Sequence, residues 1–106
     1  MKRELRFTPT ADAQLDALEA DPSHKDVLRQ VRKTLGFLES NPRHPSLQTH
    51  EYHSLTRSVG VKVFEAYVQQ ETPAAYRVFF HYGPDEQNAK GKRIPVSTIV
   101  AITPHP

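Results

Sequence analysis

VKVFEAYV at residues 61–68 and YRVFFHY at residues 76–82 alternate bulky and polar side chains on either side of a TPAA break. That period of two predicts a pair of antiparallel strands folded back on each other. Successive side chains on a strand point to opposite faces. Phe64, Ala66 and Val68 therefore share one face of the first strand; Tyr76, Val78 and Phe80 share one face of the second, and Arg77, Phe79 and His81 the other. One side of this hairpin reads as core. The other carries Glu65, Tyr67, Arg77 and His81, a charged and aromatic set that a purely structural sheet does not require.

Outward from the hairpin, Glu4–Phe7 is a short strand, ended by Thr8 as a helix N-cap and Pro9 as the first helical residue. Ala11, Leu15 and Leu18 follow at helical spacing until Asp21, Pro22 and Ser23 break the pattern. Ser23 with Asp26 resembles a capping box for a second helix. Its apolar stripe is Val27, Leu28, Val31, Leu35 and Leu38, stopped by Asn41 and Pro42. So short a break predicts an antiparallel helical hairpin. Its outer face carries Lys25, Arg29, Arg32 and Lys33, a solvated face by the ordinary reading and a phosphate-contacting ridge by the functional one. NPRHPSLQTHEYHSL leaves no room for a long regular element, and GPDEQNAKGKR reads as a flexible turn. Ile94–Ile102 is the last strand, with Pro95 at an edge or first-residue position. The order β-α-α-β-β-β predicts an α+β domain over residues 1–106: an antiparallel sheet with a helical hairpin on one face and the opposite face open.

Composition limits the chemistry. The 106 residues hold no cysteine, which excludes disulfides, thiolate catalysis and zinc–cysteine sites. A net charge of +2 permits a nucleic-acid partner without demanding one. No apolar run approaches membrane-spanning length and the start MKREL is no secretory signal, so a cytoplasmic location with no membrane partner is expected. His44, His50 and His53 have neither helical i, i+4 nor zinc-finger spacing, and no metal or cofactor is expected.

NPRHPSL after the second helix, VFEAYV, AYRVFF and a last strand ending just before a histidine resemble the RelE/ParE superfamily of toxins from type II toxin–antitoxin systems. The resemblance runs in order along nearly the whole chain, with AYRVFF as its most specific motif. It implies a compact microbial-ribonuclease-like fold and neutralisation by a cognate antitoxin protein. RelE-type members cut messenger RNA in the ribosomal A site, whereas ParE-type members inhibit DNA gyrase. A third possibility is a RelE-fold domain that binds a partner without toxicity.

Metal-free RNA cleavage needs a base for the 2′-hydroxyl proton, a cation for the phosphorane and an acid for the leaving 5′-oxygen. Arg77 is the cation, since a guanidinium fork matches phosphate geometry, and the resemblance places an arginine here on the scissile phosphate. The bland alternative is an ion pair with Glu65. By resemblance to the YoeB group, His105 is the general acid, and imidazole titrates near neutral pH; a frayed tail residue is the alternative. Glu65 is either the base or the partner of Arg77. The YoeB-type base falls where this chain has Pro45 and Ser46, with His44, His50 and Glu51 nearby as substitutes. RelE-type toxins use a lysine cluster; Lys62 sits in the corresponding strand, pointing away from Arg77. Lys62, Tyr67, His81 and Arg43 form the substrate-binding set, with Tyr67 suited to stack on a splayed base.

Overall fold

Val78, Phe79 and Phe80 are consecutive and all buried, so the strand that carries them has both faces covered. The computed structural model describes residues 2–70 and 74–105. Thr72 and Pro73 of the TPAA break, and Pro106 beside His105, lie outside the described residues. The elements run β1 (Glu4–Phe7), α1 (Pro9–Ala20), α2 (Lys25–Ser40), β2 (His50–Glu51), α3 (His53–Val59), β3 (Phe64–Tyr67), β4 (Tyr76–Tyr82), β5 (Glu86–Gln87), β6 (Arg93–Ile94) and β7 (Val96–Pro104).

Five strands form one sheet in the order β1-β7-β4-β3-β2, and β5 pairs with β6 in a separate small hairpin. The chain is thus an α+β fold with three helices and a mixed five-stranded sheet among the described residues. The expected all-antiparallel sheet is corrected at one edge, because β1 lies parallel to β7. Parallel neighbours need a long connection, and nearly the whole chain intervenes here. The helical hairpin is on one face as expected: Ala11, Leu18, Val31, Leu35 and Leu38 pack with Ala66, Val78, Phe80, Ile99 and Ile102.

Local chemistry explains the helix starts. The Thr8 hydroxyl accepts the Ala11 N–H at 3.1 Å and donates to the Val100 carbonyl at 2.9 Å, tying α1 to the sheet while capping it. Ser23 does not cap α2. Its N–H and hydroxyl both turn to Asp21, at 2.9 and 2.7 Å, in a short 3-10 turn over Pro22–His24. On the basic face of α2, Arg29 pairs with Asp26 and Arg32 with Glu19.

The structure refines other expectations. The face opposite the helices is not open: Phe79 is 1% exposed and Tyr52 meets it edge-on, 5.1 Å between ring centroids. The segment before β3 holds no long element, as expected, but it does hold the two-residue strand β2 and the seven-residue helix α3, too short to announce themselves by periodicity. The GPDEQNAKGKR turn is a pinned hairpin, because the Asp85 carboxylate accepts from the Val96 N–H at 3.0 Å and from Arg93 Nε at 2.6 Å. The last strand runs two residues later than expected, and Pro95 sits between β6 and β7.

One irregularity in β7 positions the rest. Phe79 is opposite Ala101 and Phe80 opposite Ile99, which leaves Val100 as a bulge without a partner on β4. The extra residue resets the alternation, so Ile99 and Ile102, three apart, both face the helices. Thr103 and the residue two beyond it then fall on the other face. Among the described residues no helix is long and apolar enough to cross a membrane.

Two outcomes follow. Leu38 is fully buried, and Leu38→Ala is expected to lower unfolding stability by about 2–5 kcal/mol, read from urea denaturation. The Val96 N–H, then Arg93, hold the Asp85 carboxyl below its ordinary range. A lowered folded value means the stabilisation is complete above about pH 4 and fades as pH falls below it. The denaturation midpoint of Asp85→Asn should therefore lag the wild type at pH 7 and converge with it in acid.

Candidate functional site

Four adjacent strands contribute to a row across the face away from the helix pair, β3 with two residues and the others with one each. His50 on β2 lies directly opposite Glu65 on β3. Tyr67 on β3 lies opposite Arg77 on β4, and Arg77 opposite Thr103 on β7. His105 extends the ladder, its N–H donating to the Ala75 carbonyl at 2.8 Å. The Val100 bulge is what brings the His105 ring to this face rather than the helical one.

The centre of the row is the Glu65 carboxylate, only 2% exposed. His50 Nε2 reaches its Oε1 at 2.7 Å, and His105 Nδ1 reaches its Oε2 at 2.5 Å. Arg77 Nε stands 3.6 Å from that second oxygen. A buried carboxylate is tolerable only with such partners. Both of its oxygens are engaged by side chains, so Glu65 does not face a substrate as a direct base would. Its geometry is that of a carboxylate orienting imidazoles, the arrangement that selects a tautomer and leaves the far nitrogen for proton transfer. His105 fits that description: its Nδ1 is on Glu65, and its side chain is 44% exposed.

Arg77 is not the outward cation expected. Its side chain is 11% exposed; Nη1 donates to the carbonyls of Gln69 at 2.6 Å and Tyr76 at 3.0 Å. The guanidinium lies over the Tyr67 ring, 3.9 Å from the centroid. Its Nε is buried without a hydrogen bond. His50 meets Tyr67 edge-on, and Tyr52 meets His105 in the same way, so two tyrosines wall the cluster.

The structure therefore brings together Glu65, Arg77, His105 and Tyr67. It does not bring Lys62, His81 or Arg43 to them. Lys62 is exposed and precedes β3 rather than lying in it, three residues from Glu65, or about 10 Å of extended chain. His81 is four residues along β4 from Arg77, about 13 Å at the strand rise, with Nδ1 3.3 Å from the Tyr82 carbonyl. Arg43 borders a cleft of about 300 Å³ with Pro42, His44 and Tyr82, at the opposite end of β4. His50, named above only as a substitute base, and Tyr52 come to the site through β2, which at two residues is too short for strand alternation to place them. The THEYH stretch, a histidine within reach of Glu65 by hairpin pairing, was the available sign.

Among the described residues no three His, Cys, Asp or Glu side chains are placed to hold a metal ion. His44 stacks on Phe37 at 4.0 Å, and His53 pairs with Glu51 at 3.3 Å. Compared with protein-family models, curated proteins and solved structures, the chain matches none.

Arg77→Ala strands the Gln69 carbonyl and removes a counter-charge from Glu65. It is expected to cost about 1.5–3 kcal/mol, measured by urea denaturation, and Arg77→Lys should recover only part of it, because a point charge cannot reproduce the fork.

Proposed function

We propose that this protein is a RelE/ParE-like toxin that cleaves messenger RNA on the ribosome without a metal ion. The observation that carries the reading is the row His50, Glu65, Arg77 and His105: two half-exposed imidazoles held on one buried carboxylate, with a guanidinium beside it. Cleavage next to a 2′-hydroxyl needs two proton transfers and charge stabilisation. This row supplies titratable nitrogens for the first and cations for the second. Tyr67 supports it as a ring on the same face, although Arg77 covers one side of that ring. The order strand, helix, helix, then the central strands, with a histidine just past the last strand, supports the same family.

The buried guanidinium favours a second reading. Because Arg77 is already committed to two backbone carbonyls and to Tyr67, it works as a strut for the sheet edge. A ParE-like protein that binds gyrase, or a RelE-fold domain that binds a partner without toxicity, needs no more than that. In either toxin case a cognate antitoxin is the natural partner.

Purified protein incubated with translating ribosomes should truncate messenger RNA. His105→Ala should reduce the cut by about 10²–10⁴-fold, with an unchanged circular-dichroism spectrum. Intact RNA together with inhibited DNA supercoiling would move the assignment to the gyrase reading.

A further inference from the structure

On the cleavage reading just given, the two imidazoles have different tasks, and their hydrogen bonds say which. His50 Nε2 lies 2.7 Å from the Glu65 carboxylate, and its Nδ1 lies 2.9 Å from the Gln48 carbonyl. The Gln48 carbonyl and an ionised Glu65 are both acceptors, and toward that pair His50 makes both bonds only with a proton on each nitrogen. His105 differs. Its Nδ1 is bonded to Glu65, which places its proton there and leaves Nε2 as a lone pair in the neutral ring.

We infer that His50 is the proton donor of the site, that His105 is the proton acceptor, and that Glu65 is the positioning residue which sets both. The 2′-hydroxyl gives its proton to His105 Nε2 as the O2′–P bond forms. The P–O5′ bond breaks, and O5′ takes the proton from His50 Nδ1, which lets go of the Gln48 carbonyl. Nε2 keeps its proton because the buried carboxylate holds it. The products are a 2′,3′-cyclic phosphate and a 5′-hydroxyl; His105 ends with one more proton and His50 with one fewer, and exchange with solvent restores them. This assigns to His50 the donor role that the tail histidine carries in the YoeB-type resemblance, and gives Glu65 no direct proton transfer.

The test is a ribosome-bound message in which sulfur replaces the bridging 5′-oxygen at the mapped cut, since a thiolate leaves without a donated proton. His50→Gln should lose about 10²–10⁴-fold on the oxygen substrate and regain most of it on sulfur. His105→Gln should stay slow on both. Rescue of His105→Gln instead would overturn the assignment while leaving the nuclease reading intact, whereas a wild type that cuts neither substrate would remove the nuclease reading itself. Imidazole ¹⁵N spectra of the whole protein at pH 7 give a readout independent of cutting. Two protonated nitrogens on His50 and a proton on Nδ1 of His105 are expected, with both patterns lost in Glu65→Gln. A neutral His50 would refute the inference.

Discussion

A carboxylate sealed inside a sheet face must be surrounded by donors, and the Glu65 side chain is where that requirement falls. Its oxygens draw in His50 from the edge strand, His105 from beyond the last strand and Arg77 from the strand between. Removing water from a charge is costly enough that each of these partners is structurally obliged. On the proposed function, stability and chemistry draw on one set of contacts.

The bulge at Val100 is the second constraint, and it serves the first. Without an extra residue, strict alternation would send Ile99 and Ile102 to opposite faces. With it, both enter the core beneath the helices, while Thr103 and His105 turn to the Glu65 side. The Thr8 hydroxyl bonds the Val100 carbonyl and caps α1 at once, so the irregularity is locked to the first helix. A tail residue that would fray in isolation is instead hydrogen-bonded through its backbone to Ala75 and through its ring to Glu65.

Arg77 shows how burial changes the meaning of a residue type. A guanidinium on a strand next to a histidine suggests a phosphate clamp. Enclosed by two carbonyls, a carboxylate and a tyrosine ring, it ties Gln69, just after β3, to the start of β4. Its charge is set against the Glu65 carboxylate, and the more exposed side chains of the row are the imidazoles.

Much of the architecture was legible in the residues. The period-two runs located β3 and β4 and sorted Glu65, Tyr67, Arg77 and Phe79 onto one face; Thr8, Pro9 and the 3.6-residue stripes located both long helices. These are local properties, dictated by backbone geometry and side-chain direction within a few residues. The parallel docking of β1, the bulge in β7, the strand β2 and the pairing of His50 and His105 across Glu65 were decided only by tertiary structure. Each depends on which distant segments meet, and a single inserted residue reverses every face that follows it.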